Sequence, residues 1–422
     1  MGRVDRLIRQ LRRGMLEERF RAAEALGQLG DPKAVPALLE GLDDAYEQVQ
    51  YACVDALGKI GDLRAVPKLI DKYRWARFYK KIFRGRQIIE AISEILGRTS
   101  PDDDESRKVF SMAVNWLIDV VQDSGPDVLI SRGYGLKQRE AFDQMRAAAV
   151  EALGKTRNPK AIPVLTNLFR EEDTPSEVKT SAVHALSNFN TPQVIQTLIK
   201  VAAGKFARSK ETREAAIKSL GDIGSSQAVD TLIKILNERS EDEGLRIHAA
   251  LALGRMGDPK AIDPLTRTLG NRTDDLGVRK FVADALAAFN DPRVTDALVR
   301  AVGYVYYIAK AAAESLKKLR DRRAVEPLVR ILESGPDKYS NPTRELAAEI
   351  LGVLGDPRAV PALAKAQRDN DKDVRKAAFE SLQPFILTHP DSILQLPPDD
   401  RHLLGRKIQE TEREELVQKL CK

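Results

Sequence analysis

Apolar residues recur at every third or fourth position through most of the chain, and nowhere alternate with period two for long enough to build a strand. One stretch shows the unit. In Asp258-Pro259-Lys260-Ala261-Ile262-Asp263-Pro264-Leu265-Thr266-Arg267-Thr268-Leu269, Ile262, Leu265 and Leu269 share one helical face. Asp258 caps the start, and Pro259 fits a first turn, where its missing N–H costs nothing. Gly270 and Asn271 end that helix, and Val278 to Leu286 predicts a second one whose alanines let two backbones approach closely. The pattern then returns. Taking the leucine of Ala25-Leu26-Gly27 as marker, copies stand at Leu26, Leu57, Leu96, Leu153, Leu186, Leu220, Leu253, Leu286, Leu316, Leu351 and Leu382. Their spacings are 31, 39, 57, 33, 34, 33, 33, 30, 35 and 31 residues. A period of this size marks a solenoid, in which each unit buries its apolar face against its neighbours. The expectation is an all-α, right-handed α-α superhelix of eleven two-helix repeats, marker leucines buried, interrupted between Leu96 and Leu153.

The recurring elements, Val-Arg-x-x-Ala-x-x-Ala-Leu-Gly and then Gly-Asp-Pro-x-Ala-Val-Pro-x-Leu, resemble HEAT repeats of the short kind named after the phycobilisome lyases. The resemblance covers roughly residues 14–385. It implies antiparallel helix pairs, with second helices along the concave side. It does not imply one function, since that family holds lyase subunits, hydroxylases and adaptors. The hydroxylases of deoxyhypusine carry di-iron on His-Glu dipeptides, whereas the histidines here read His184-Ala185, His248-Ala249, His389-Pro390 and His402-Leu403. No zinc spacing and no Gly-x-Ser-x-Gly elbow occurs. The expectation is a non-enzymatic chain without metal or cofactor, and a bilin-lyase-like or protein-modifying subunit is the third-ranked reading.

Composition suits one continuous array of 422 residues, with 43% hydrophobic and 5% aromatic residues. Expected parts are an N-terminal cap helix at 1–13, repeats at 14–98, an insertion and long loop at 99–137, regular repeats at 138–385 and a capping helix at 386–422. No apolar run reaches membrane-spanning length, and Met1 to Arg13 carries five arginines and no secretory core. Cys53 and Cys421 lie far apart, and Cys53 reads as a small core residue. The expected location is cytoplasmic.

Departures from the repeat are where function enters. Residues 72–86 carry seven basic residues and no acid, while the whole chain has a net charge of +6. Removing that segment leaves 6 − 7 = −1 for the rest. Trp75, Phe78, Tyr79, Ile82 and Phe83 follow helical spacing, with Arg74, Arg77, Lys81 and Arg84 opposite and Lys80 and Arg86 beside them. One basic amphipathic helix of this kind suits nucleic acid or an anionic membrane surface, or packs its aromatic stripe into the solenoid. The glycine-containing stretch from Asp123 to Lys137 is long for a connector, and it lacks the Gly-Lys-Ser/Thr end of a phosphate loop.

Aligned repeats show two columns. Seven residues before each marker stand Arg19, Gln50, Ile89, Arg146, Lys179, Arg213, Arg246, Arg279, Ala309, Arg344 and Arg375, expected to pair with turn acids of neighbouring units. Two residues before it stand Glu24, Asp55, Glu94, Glu151, His184, Lys218, Leu251, Asp284, Glu314, Glu349 and Glu380. The acidic run breaks at three consecutive units, and Lys205, Arg208 and Lys210 fall in the same stretch. With His184 and Lys218 they are the candidate residues for an acidic ligand. Tyr304, Tyr306 and Tyr307 crowd the start of another second helix, with one or two rings expected at the surface. The leading reading is a scaffold that binds a protein partner through its concave face, ahead of nucleic acid or membrane binding through 72–86.

Overall fold

The computed structural model describes the backbone of residues 2–78, 82–123, 136–334 and 338–420. Side chains are described for all of these except 75–78, 82–84, 136–138 and 410–420. Among the described residues there are α-helices and short 3-10 turns and no strand. None of the described helices is long and apolar enough to cross a membrane.

The chain divides into two compact units, Met1–Ile223 and Gly224–Lys422. In the first, second helices Leu16–Leu29, Glu47–Ile60, Ile82–Arg98, Leu136–Thr156, Ser176–Leu186 and Lys210–Ile223 each pack on the next. Their partners are Arg3–Arg13, Val35–Gly41, Val66–Phe78, Asp104–Gln122, Ala161–Asn167 and Pro192–Ala202. Arg3–Arg13 therefore holds a first-helix place, with Leu11 buried, and Asp104–Gln122 does the same for the Leu153 repeat. Residues 124–135, most of the stretch read as a long loop, lie outside the described residues.

In the second unit, Glu243–Met256, Leu276–Leu286, Tyr306–Leu319, Asn341–Leu354 and Lys372–Thr388 form the row of second helices. Helix Pro398–Leu420 touches Val360–Ala366 at the end of this stack.

The repeated residues each have a packing reason. All eleven marker leucines are buried. The glycine after the marker lets neighbouring second helices touch: a Cβ on Gly154 would lie 2.6 Å from Ala185 Cα, and one on Gly27 2.7 Å from Ala56 Cα. The next glycine, as at Gly257 with φ 64°, closes the helix in the left-handed conformation. The aspartate beyond it then accepts a hydrogen bond from the backbone N–H two residues on. Asp258 does so from Lys260 at 2.9 Å and Asp31 from Lys33 at 2.9 Å. Cys53 is buried, and burial pushes its thiol up to about 12.

Candidate binding surface

The arginine column is a set of braces. Arg246, 1% exposed, donates from Nε to the Leu236 carbonyl at 2.9 Å, the C-terminal end of its own first helix. Its Nη1 meets Asp274 at 2.6 Å and Asp275 at 3.0 Å, the acids that open the next second helix. Hydrogen bonds to Asp274 raise the Arg246 guanidinium above its ordinary value. One side chain thus answers an orphan carbonyl of its own repeat and a carboxylate of the next. Arg19 reaches Asp44 at 2.8 Å and the Gly14 carbonyl at 2.9 Å, and Arg146 reaches Glu171 at 2.8 Å and the Val121 carbonyl at 2.7 Å. Arg344 makes the carboxylate half alone, pairing with Asp369 while its buried Nε has no hydrogen-bond partner.

Among the described residues three basic positions of the column lack the carboxylate, one of them Arg375, which bonds only the backbone carbonyls of Asp369 at 2.7 Å and Asn370 at 2.9 Å. Arg279 donates to the Leu269 carbonyl at 3.0 Å, but its guanidinium lies 5.0 Å from the centroid of the Tyr304 ring and leaves buried Nη2 without a partner. Burial pushes its pKa down. Lys179, half-buried, lines a groove of about 840 Å³ together with Arg170, Lys205, Arg208, Ser176 and Ser209.

The other column faces outward. In the first unit Glu24, Asp55, Glu94 and Glu151 are exposed along adjoining second helices, followed by exposed His184 and Lys218. Glu94 and Glu151 line one hollow of about 300 Å³ with Glu90 and Glu177. In the second unit Lys317 bridges this column, 3.2 Å from Glu314 and 2.7 Å from Glu349.

The basic segment does not form the single helix expected of it. It divides between the end of Val66–Phe78 and the start of Ile82–Arg98, two helices that pack on each other. Helical spacing carried across the junction of a helix pair mimicked one continuous stripe. Trp75, Arg77, Phe78, Lys80, Lys81 and Arg84 lie outside the residues whose side chains are described. The described bases are paired: Lys72 with Asp43, Arg74 with Asp71 at 3.5 Å and Arg86 with Glu90 at 2.8 Å.

The remaining candidates separate. Lys205 and Arg208 line the Lys179 groove, while Lys210, His184 and Lys218 are exposed but not among its lining residues. Lys210 also lies 3.9 Å from Glu214. Tyr306 and Tyr307 are 54% and 71% exposed, edge to face with centroids 5.9 Å apart. Tyr304 is half-buried, with Arg272 5.8 Å from its ring centroid as well.

The model of HEAT repeats matches residues 4–74, 135–208, 205–277, 272–341 and 306–383, well over half of the chain. The chain belongs to the HEAT-repeat family. A stretch of 58 residues is 48% identical to phycocyanobilin lyase subunit alpha of Picosynechococcus sp., covering 14% of this chain and 20% of that one. The chain therefore spans about a fifth of that relative's length. Among solved structures, Kap121p aligns over 92% of this HEAT chain and 47% of its own, with a TM-score of 0.55 and 14% identity. Kap121p bound to Ste12p aligns over 92% and 46%, with a TM-score of 0.57 and 14% identity. At that identity the likeness is one of fold.

Within the HEAT frame, sequence reasoning passed over Lys179 and Arg170 as site residues. Lys179 stood in the bracing column and was read with it. The signal was available in the residues ahead of the following marker, where an acid is missing.

Proposed function

We propose that this HEAT-repeat chain is a non-enzymatic scaffold that holds a protein partner along the exposed row of its second helices. One observation carries the reading. In the first unit the column from Glu24 to Lys218 repeats an exposed polar side chain on each neighbouring helix except for changes of sign, while the bracing column is turned inward. Adjoining helices lie roughly 10 Å apart, so the row offers evenly stepped contacts to an extended ligand. Its sign changes from acidic at Glu24, Asp55, Glu94 and Glu151 to cationic at Lys218. A partner with a basic stretch followed by an acidic one is complementary to that order, and such charge matching sets orientation and encounter rate. Kap121p, which is solved bound to Ste12p, shares the fold. Pairing of Lys72, Arg74 and Arg86 weakens the case for nucleic acid or membrane at 72–86.

The test compares affinity-purified partners of the wild type, of Glu94→Lys/Glu151→Lys and of a first-helix control, Asp296→Lys. The partner set is expected to survive in the control and disappear with the double variant. An identical set from the double variant overturns the reading.

A further inference from the structure

The braces place their acids in a narrow window ahead of the next marker leucine. Asp44 stands 57 − 44 = 13 residues before Leu57, and Glu171 stands 186 − 171 = 15 before Leu186. Asp274 and Asp275 stand 12 and 11 before Leu286, and Asp369 stands 382 − 369 = 13 before Leu382. For Lys179 the corresponding window, 11 to 15 residues before Leu220, is Lys205-Phe206-Ala207-Arg208-Ser209. It holds no acid and two bases. The charge that should answer the column has been reversed.

The groove that results gathers four cations. Arg170, Lys179, Lys205 and Arg208 line it, and none of them forms an ion pair with the described residues. Of the two carboxylates along it, Glu171 is held by Arg146 at 2.8 Å and by the Thr174 hydroxyl at 2.8 Å, leaving Glu172 alone. The N-terminal ends of Ser176–Leu186 and Lys210–Ile223 both reach the groove, bringing Ser176 and Ser209 with them, the Ser209 hydroxyl donating to Glu211 at 2.7 Å. Thr212 fixes these two helices together, its hydroxyl 2.9 Å from that of Thr180. A half-buried Lys179 and three exposed cations, Arg170, Lys205 and Arg208, without a protein counter-charge and beside two helix N-termini, are a charge arrangement suited to a multiply charged oxyanion.

The positive charge is also confined. The neighbouring hollow is lined by four carboxylates, Glu90, Glu94, Glu151 and Glu177, against two bases, Lys155 and Arg86, the latter paired with Glu90. A nucleic acid duplex carries a charge about every 1.7 Å and would run onto those carboxylates. A single compact group would not.

We propose that this groove is a binding site for a phosphoryl group, either on a small phosphate compound or on a phosphorylated side chain of a polypeptide. The proposal goes beyond partner binding along the second-helix row and stands if the row variant leaves the partner set unchanged. The test uses the full chain at low salt with inorganic phosphate and with a fluorescent peptide bearing one phosphoserine, beside its unphosphorylated twin. Saturable binding of phosphate or phosphopeptide is expected, weakened at least about tenfold by Lys179→Gln and by Lys205→Gln/Arg208→Gln. Circular dichroism establishes that each variant is folded, and the loop pair serves if Lys179→Gln is not. Phosphopeptide binding that phosphate fails to displace assigns the group to a polypeptide. Equal competition by phosphate assigns it to a small compound. Absence of saturable binding, equal binding of the unphosphorylated peptide, or unchanged binding by the folded variants overturns the proposal.

Discussion

At the scale of single residues, two small features govern the stacking. Gly154 sits in a helix, where alanine would ordinarily gain about 1 kcal/mol in propensity. Its added Cβ would lie 2.6 Å from Ala185 Cα and 3.2 Å from the Ala185 carbonyl oxygen, so two backbones must part. Gly154→Ala is therefore expected to destabilise by about 1–3 kcal/mol, the reverse of the propensity order, and a urea melt showing a gain would contradict this. The second feature is the brace. Asp274→Asn strips the 1% exposed Arg246 of its main counter-charge, and breaking such a pair costs about 3–5 kcal/mol. The flanking Asp275 at 3.0 Å keeps the loss near the lower end. Chemical denaturation of that variant beside Asp275→Asn measures both contributions. The arginines were legible from their fixed spacing. Their acids were not, because they occupy loops of varying length and drift between 11 and 15 residues ahead of the next marker.

At the scale of elements, the turn between repeats was the most readable part of the chain. Gly-Asp-Pro specifies a left-handed helix end, a side-chain cap and a proline restart, three local effects that need no tertiary context. The same turn sets a pH response. The Arg358 guanidinium beside Asp356 holds that carboxyl below the ordinary carboxylate range. A depressed native pKa means stability that is present above the unfolded value of about 3.9 and lost as pH falls through the native one. Wild-type Tm should thus fall more steeply below about pH 4 than that of Asp356→Asn, with the two profiles parallel above it. Parallel profiles throughout would remove Asp356 from the acid response. The basic segment shows where element reading failed. A three-and-four spacing cannot distinguish one long helix from two helices meeting at a short junction, and 72–86 spans such a junction.

At the scale of the whole molecule, stability accumulates from contacts between neighbouring repeats. Leu253→Ala empties a fully buried site and should cost about 2–5 kcal/mol. Hydrogen exchange should quicken in Glu243–Met256 and in Leu276–Leu286, which packs on it, and remain slow in Glu47–Ile60. Uniform quickening along the chain would contradict a nearest-neighbour stack.

The brace also bears on how such a chain changes length over generations. Each complete joint is divided between repeats, with an arginine in one and an acid in the next. Any repeat carrying both halves can be copied and still fit its new neighbours. Residues 254–286 contain Asp274, Asp275 and Arg279, so a tandem duplicate placed after Leu286 would offer Arg279 the carboxylate that Tyr304 now replaces. Growth by whole repeats at that point would strengthen the seam instead of opening it.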